Sequence, residues 1–340
     1  MEPTDHRLSV IVVSYNEEIN IPRLKSSVDR LRMPAGLTVE TILVDGGSRD
    51  GSADLGRQLH FSKIIVLEGA SIPVCRNRGI REATGDWLAF VDADCEVAPD
   101  WLEQASPFLE GSREILIGWP ASPPDPMTWV QQAWHAHWTH KNAKYESCGS
   151  SQVIRREGFR LITTRNLLMT REAVDRLGGF DEQLSTGEDT DLCFRAYQAG
   201  IPTLAVPALR VIHYGEPKSL REFFRQQLWH ANRSSYGRIV RESGRMAGGH
   251  APLFSIAFAL AFVLFVAGLI ANCAGHHGIG TSLLLPLPIL LLGPALVLAC
   301  RARRLRLVVP LAVLYGAYGC ARAMDLLGFF RTKRSWKSKP

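Results

Sequence analysis

Leu253–Asn272 is a run of twenty residues without a charge, and it limits what this chain can fold into more than any other feature. A helix of that length rises about 30 Å, the thickness of a bilayer's hydrocarbon core. Ile279–Cys300 is a second uncharged run. Its Pro286, Pro288 and Pro294 are tolerated better in membrane helices than in soluble ones. A third, shorter run, Leu307–Ala321, has Arg322 and Asp325 behind it. The loop Ala274–Gly278 holds no Lys or Arg, whereas Arg301, Arg303, Arg304 and Arg306 follow the second run. By the positive-inside rule the second loop is cytoplasmic, and so is everything before the first run. A third crossing would leave Arg331, Lys333, Arg334, Lys337 and Lys339 outside, which favours an interfacial or re-entrant third segment.

The 340 residues have room for one large catalytic domain, or two ordinary ones, plus this appendage. With 46% hydrophobic and 21% charged residues, disorder, collagen and simple coiled coil are excluded. The net charge of +6 is unevenly spread: ten Lys/Arg and one acid lie from Leu253 onward, leaving 29 basic and 32 acidic residues before it. Basic residues beside apolar runs expect anionic lipid as a partner. No nucleic-acid motif accompanies them, so nucleic acid is not expected. The seven cysteines are scattered, with no CxxC and no zinc spacing, which suits reduced thiols in the cytoplasm. The polar start MEPTDHRLSV is not that of a signal peptide.

The first 215 residues alternate β-branched runs with helix-like stretches. Leu8–Ser14, Val39–Val44, Lys63–Leu67 and Trp87–Val91 read as buried strands, and Ile19–Leu31, Gly51–Gln58 and Pro73–Ala83 as the helices between them. This alternation predicts an α/β fold with a mainly parallel, helix-covered sheet. On such sheets ligands bind outside the C-terminal strand ends. Leu220–Val240 mixes Phe223, Phe224, Leu228 and Trp229 with Arg221, Arg225, Arg233 and Arg238. Such a basic amphipathic helix either lies in the headgroup plane or packs on the preceding domain.

The acids fall at strand ends. Asp92 and Asp94 close the run WLAFV, and a turn there lets both carboxylates approach one site. Acidic oxygens are what Mg²⁺ or Mn²⁺ requires while it also holds a diphosphate. Asp45 ends the second strand in VDGGSRDGS, placed either to accept hydrogen bonds from a base or ribose or to form an Asx turn. Glu17 occupies the equivalent place on the first strand, or is a first-turn acid favouring the helix dipole. In Cys75-Arg76-Asn77-Arg78-Gly79, Arg76 suits phosphate oxygens and Asn77 a base, against the alternative of a merely solvated face. Glu188 and Asp189 open a helix at Gly187-Glu188-Asp189-Thr190-Asp191; they serve as a cap or, given the acids upstream, as the general base beside an acceptor hydroxyl. His213 follows the strand-like Leu209–Ile212 and is a candidate third metal ligand. Trp129, Trp134, Trp138, His135, His137 and His140 crowd Met127–Lys144. They line an acceptor groove or anchor an amphipathic helix at the membrane or in the core.

The series VIVVSYNEE, ILVDGGSRDGS, CRNRGIREATGDWLAFVDADCEV, RNLLMTREAVDRLGGFDE and TGEDTDLCFRA resembles family 2 glycosyltransferases over Leu8 to Tyr214. The resemblance implies a GT-A-type (nucleotide-diphospho-sugar transferase) fold with a Rossmann-like sheet, followed by C-terminal transmembrane helices. It implies a nucleoside pocket from Glu17, Asp45, Asn77 and Gly79, with Arg76 and Asp92 toward the donor's diphosphate. It implies a metal, Mg²⁺ or Mn²⁺, on Asp92 and Asp94 with His213 matching the His some members use. Glu188-Asp189 resembles the family's acidic pair, Asp189 being the base, and Gly178-Gly179-Phe180-Asp181 the acceptor-side element before it. Processive members carry QxxRW; here the comparable stretch is Arg225-Gln226-Gln227-Leu228-Trp229, which argues for single-sugar transfer.

The expected protein is a multi-pass cell (inner) membrane glycosyltransferase, cytoplasm-facing and inverting. It would use a nucleotide-diphosphate sugar and a lipid-linked or surface-glycan acceptor. Retaining chemistry, nucleotidyl transfer and a non-catalytic assembly subunit are the rivals. The expected divisions are 1–215 catalytic, 216–250 interface helix and linker, 251–330 membrane region (spans about 253–272 and 279–300, with 307–327 the third segment), and 331–340 basic tail.

Overall fold

The computed structural model describes residues 6–111, 113–146, 152–154, 161–184, 186–230 and 251–326. Arg233, Arg238, Cys148 and the basic tail lie outside these. The chain opens with β1 (His6–Ser14), α1 (Ile21–Asp29), β2 (Leu37–Asp45), α2 (Ser52–Gln58), β3 (Lys63–Val66), α3 (Ile72–Glu82) and β4 (Trp87–Asp92). The three pairings within this block, β1–β2, β2–β3 and β1–β4, are all parallel. The strands are apolar on both faces because helices cover both faces; from Leu8 to Ser14 every residue of β1 is buried.

The second half adds β5 (Cys95–Val97), α4 (Trp101–Leu109), β6 (Leu116–Gly118), α5 (Trp129–Glu146), β7 (Gln152–Val153), β8 (Leu167–Thr170), α6 (Arg171–Leu177), α7 (Glu188–Gln198), β9 (Thr203–Ala205), β10 (Val211–His213) and α8 (Leu220–His230). The main sheet runs β3-β2-β1-β4-β8-β6-β9-β7, and β10 pairs with β5 apart from it. Sequence alternation foretold the parallel block. The three short antiparallel pairings that extend it, at β4–β8, β6–β8 and β7–β9, bring in strands two to four residues long, too brief to show a period.

Two details of this layout set the site. The antiparallel β5–β10 pair puts His213 opposite Cys95, so the histidine arrives beside the turn that follows β4. Buried Asn166 accepts the Trp101 indole N–H at 2.8 Å and donates to the carbonyls of Trp119 and Leu209. That fixes the start of β8 and, with it, Arg165.

The C-terminal part comprises α9 (Ala251–Cys273), α10 (His277–Leu284), α11 (Pro286–Arg301), a 3₁₀ turn (Leu305–Leu307) and α12 (Val308–Leu326). Three stretches, Leu253–Cys273, His277–Arg301 and Leu305–Met324, are long and apolar enough to cross a membrane, with mean hydropathies of 2.8, 2.4 and 1.5. Leu260, Ile270 and Val309 are 62%, 65% and 68% exposed, a cost in water that lipid removes. The third run, expected as an interfacial or re-entrant segment, is one continuous helix, Val308–Leu326. Its Leu311, Leu314 and Ala321 are fully buried, so packing against neighbouring helices offsets its shorter apolar length. The amphipathic α8 is not solvated on both sides: Phe223 is buried with Val130 and Ala133 of α5 against Ala295, Leu311 and Leu314. The catalytic-type domain and the apolar helices therefore share one core.

Gly79, expected at a nucleoside wall, packs closely on the sheet. A Cβ there would stand 2.4 Å from Ile11 Cγ2 on the buried β1, so α3 can lie on the sheet only with glycine at this point. Replacing Gly79 with Leu is expected to lower stability by about 1–3 kcal/mol through overpacking, read as a fall in the melting temperature of the purified protein. An unchanged melting temperature would show that α3 does not depend on this contact.

Candidate active site

Asp92 ends β4, and Asp94 follows in the turn before β5. Asp94 is buried, and its Oδ2 lies 3.2 Å from Nε2 of the equally buried His213. On the far side of the ring, Nδ1 is 3.1 Å from Glu216 Oε1, and Arg165 holds that same carboxylate at 2.5 Å. Burial alone would push the imidazolium down, but Asp94 more than offsets this and the ring's pKa is raised to about 9. Burial would likewise raise Glu216, and Arg165 with His213 hold it down at about 2. Nδ1–H thus donates to Glu216, and the Asp94–His213 pair has room between its facing atoms for a proton or, in its place, a cation.

The donors suit a cation. Ligand atoms of Asp94, Cys95 and His213 all lie within 4.8 Å of one another. Burial pushes the Cys95 thiol up, so carboxylate oxygen and imidazole nitrogen are the effective donors, an appropriate set for Mg²⁺ or Mn²⁺. Gly215 keeps the place open: a Cβ there would lie 2.2 Å from Asp94 Oδ2 and 3.0 Å from His213 Nε2.

Arg76, 4% exposed, points from α3 at Asp92 (2.9 Å) and at Glu188. Glu188 and Asp189 are the first residues of α7. Burial pushes the Glu188 carboxyl up, Arg76 pulls it back, and Asp189 adds to the rise. Asp191, also buried, is paired to Arg195 at 2.8 Å. Of these three acids, Asp189 is the one with no arginine in ion-pair reach among the described residues, and it lines the main cavity. That cavity is about 880 Å³ and is also lined by Asp92, Arg76, Glu188 and His213. A smaller one of about 30 Å³ brings Glu17 together with Arg76, Asp92 and Asp94.

Asp45, Asn77 and Gly79 line neither cavity. Asp45 Oδ1 accepts the Gly47 and Ser48 N–H groups, and Oδ2 the hydroxyls of Ser14 and Ser48; this is the Asx turn. Asn77, expected at a nucleoside wall, is also bonded within the chain. Its Nδ2 donates to Phe180 O at 2.8 Å and to Glu182, and its Oδ1 accepts the Phe180 N–H. It clamps the loop before α7.

On the aromatic helix, Trp134, His135, His137 and Trp138 line the main cavity, while Val130 and Ala133 pack into the core shared with the apolar helices. Sequence reasoning missed Arg165 and Glu216. The signal available was the three-residue spacing from His213 to Glu216 in HYGEP, but nothing local shows that Arg165, 48 residues earlier, meets them.

Residues 9–174 match the family model for glycosyl transferase family 2. "Glycosyltransferase AglE" of Haloferax volcanii is 28% identical over 250 residues, covering 68% of this chain and 77% of its own. A pre-mycofactocin glycosyltransferase of Mycobacterium tuberculosis is 24% identical over 246 residues, 69% of this chain and 47% of its own. Among solved structures, a mannosyltransferase from Pyrobaculum calidifontis in complex with GDP-Man and Mn²⁺ has the same fold, with TM-score 0.64 at 18% identity over 94% of this chain and 88% of that one. Residues 9–174 are a glycosyltransferase family 2 domain with a GT-A-type fold, and the protein is a transferase enzyme.

Arg76→Met leaves the Glu188 carboxylate buried without its partner, and the expected loss is about 3–5 kcal/mol. Adding Glu188→Gln should recover part of it, since the stranded charge is then gone. Denaturant unfolding of both variants checks this; equal losses would mean that the pair is not coupled.

Proposed function

We propose that this enzyme is membrane-anchored and moves a sugar, with inversion, from a nucleoside-diphosphate donor to a hydroxyl of a lipid-linked or glycan acceptor. The observation that carries the reading is that Asp189 lines the same cavity as Asp92 and His213 while arginines hold its acidic neighbours. In this reading the donor's diphosphate lies against Asp92 and Asp94, with Glu17 alongside. Asp94, Asp92 and His213 would hold Mg²⁺ or Mn²⁺, which when bound supplies charge neutralisation for the departing diphosphate. The GDP-Man and Mn²⁺ of the Pyrobaculum structure support that assignment by analogy of fold.

The rest falls to the chain's own residues. Asp189 takes the proton of the acceptor hydroxyl as its oxygen attacks the anomeric carbon. The bond from that carbon to the diphosphate oxygen breaks, and its electron pair leaves with the nucleoside diphosphate. Attack opposite the leaving group in one step inverts the centre. Arg76 holds Asp92 and Glu188 in place, and Glu216 with Arg165 orients His213. The apolar helices would keep the enzyme beside a membrane-bound acceptor, which raises its effective concentration. Residues 1–215 form the catalytic unit in this scheme, 216–250 the connection and 251–330 the membrane region of an inner-membrane protein. The arginines from Arg301 to Arg306 put the catalytic side in the cytoplasm.

Titration of the detergent-purified protein with UDP, GDP, CDP and dTDP, with and without Mn²⁺ or Mg²⁺, is expected to show one nucleotide binding only with metal. Asp94→Ala should abolish that binding; a folded protein that binds none would overturn the donor assignment. Asp189→Asn should retain nucleotide binding and lose about 10²–10⁴-fold in transfer rate. Loss of binding together with transfer, or no change in either, contradicts its role as base.

A further inference from the structure

With the turn before it, α12 is long and apolar enough to cross a membrane, yet its neighbours hold it at one face of the helix bundle. Its aromatic contacts with α9 are to the start of that helix: the Phe254 ring lies 6.3 Å from that of Tyr315 and 5.9 Å from that of Tyr318. Gly319 then comes so close to Phe258 that a Cβ would stand 2.3 Å from its ring. Phe254 and Phe258 are the second and sixth residues of the stretch Leu253–Cys273. Beyond Phe258 that stretch has fifteen residues still to run, about 22 Å of rise, whereas beyond Gly319 α12 has seven, about 10 Å. α12 therefore stops well short of the level that α9 reaches. The far half of the bundle agrees. Phe262, Val263, Leu269 and Ile270 of α9, with Ile279 of α10, are exposed, and among the described residues no third helix covers them.

Both ends of α12 meet elements on the catalytic side. Leu307, just before it, and Leu311 share a buried cluster with Leu298 and Ala299, at the end of α11 beside Arg301. At the other end Arg322 donates to Gln227 of α8 at 3.3 Å, and Tyr315, Tyr318 and Arg322 line the cavity that holds Asp92 and Asp189. A spanning helix would part from that side by the thickness of the hydrocarbon core, about 30 Å; α12 never parts from it. What α12 turns outward is apolar. Val309 and Val313, one turn apart, are 68% and 40% exposed, and Leu305 in the turn before is exposed too, while Leu311 and Leu314 are fully buried. Exposed Arg301, Arg303, Arg304 and Arg306 lead into it. An apolar stripe bordered by arginines suits the boundary between headgroups and acyl chains.

We propose that α12 is an interfacial helix: its Val309–Val313 stripe docks into the leaflet on the catalytic side, the arginines before it meet anionic headgroups, and the chain returns to the side it came from. The protein then crosses the bilayer twice, by α9 and by α10 with α11. The basic residues from Arg331 onward come out on the catalytic side, where the positive-inside rule puts them. α12 thereby forms a floor between the catalytic acids and the leaflet. The proposal goes beyond the transferase reading and does not depend on it.

The test labels single cysteines in the full-length protein, in right-side-out and inverted vesicles of the expressing cells. Asp54→Cys marks the catalytic domain, His276→Cys the loop between α9 and α10, and Ser338→Cys the chain after α12, each with Cys148, Cys273, Cys300 and Cys320 replaced by alanine. A membrane-impermeant maleimide is expected to reach Ser338→Cys in the same vesicles as Asp54→Cys, and His276→Cys only in the opposite ones. A bimane dye on Val313→Cys, with the protein in vesicles of phosphatidylcholine and phosphatidylglycerol, should be quenched more by a spin label near the headgroup than by one near the acyl-chain end. Labelling of Ser338→Cys together with His276→Cys would overturn the proposal. So would stronger quenching of Val313→Cys from the chain end, the result for a spanning helix with Val313 at mid-bilayer. Labelling of all three sites from one side removes the crossings themselves and overturns it as well.

Discussion

A guanidinium as deeply buried as that of Arg76 is tolerable only with carboxylates facing it, and the two that do come from opposite sides of the site. Asp92 is 16 residues away at the end of β4, and Glu188 is 112 residues away at the start of α7. One side chain thereby ties the donor-side acids to the helix that carries Asp189. Because Glu188 is spent on this tie, the pair Glu188-Asp189 divides into a fixed residue and one left to the cavity. Proximity of reacting groups accounts for a large share of enzymatic rate, and in the proposed mechanism it depends on this ion pair.

A second constraint is the shared core between the domain and the apolar helices. Phe223 and Ala133 pack among Leu311 and Leu314, so α5 and α8 are at once walls of the cavity and contacts of the helix bundle. The cavity is consequently not a cleft within one unit. Its wall includes side chains from β4, α5, α7, α8 and α12, which lets a single space meet both the acids and the membrane-type helices.

Much of this was legible in the chain. The alternation of β-branched runs with amphipathic stretches marks the parallel block because period and burial coincide there. Asp92 and Asp94 were visible because they follow a buried strand, and Asp189 because it opens a helix after a glycine. The rest depends on long-range contact. Asn77 and Asp45 carry the right chemistry for a ligand, but the neighbours that satisfy them, Phe180 in one case and Ser14 in the other, cannot be read from local spacing. Arg165, Glu216 and His213 meet only because β10 pairs with β5, a three-residue match too short to announce itself. Arg322 looked like the end of an apolar run, and only the packing of α8 on α12 puts Gln227 beside it.

The central claim is that Asp94 and His213 hold a divalent cation at a donor's diphosphate, with Asp189 across the cavity from it. A structure of the full-length protein with Mn²⁺ and its nucleoside diphosphate, recorded at the manganese absorption edge, tests this most directly. The account predicts one anomalous peak within coordination distance of both Asp94 and His213, shared with the diphosphate, and Asp189 facing the space beyond the terminal phosphate. A peak elsewhere, or a nucleotide seated away from Asp92 and Asp94, would contradict it.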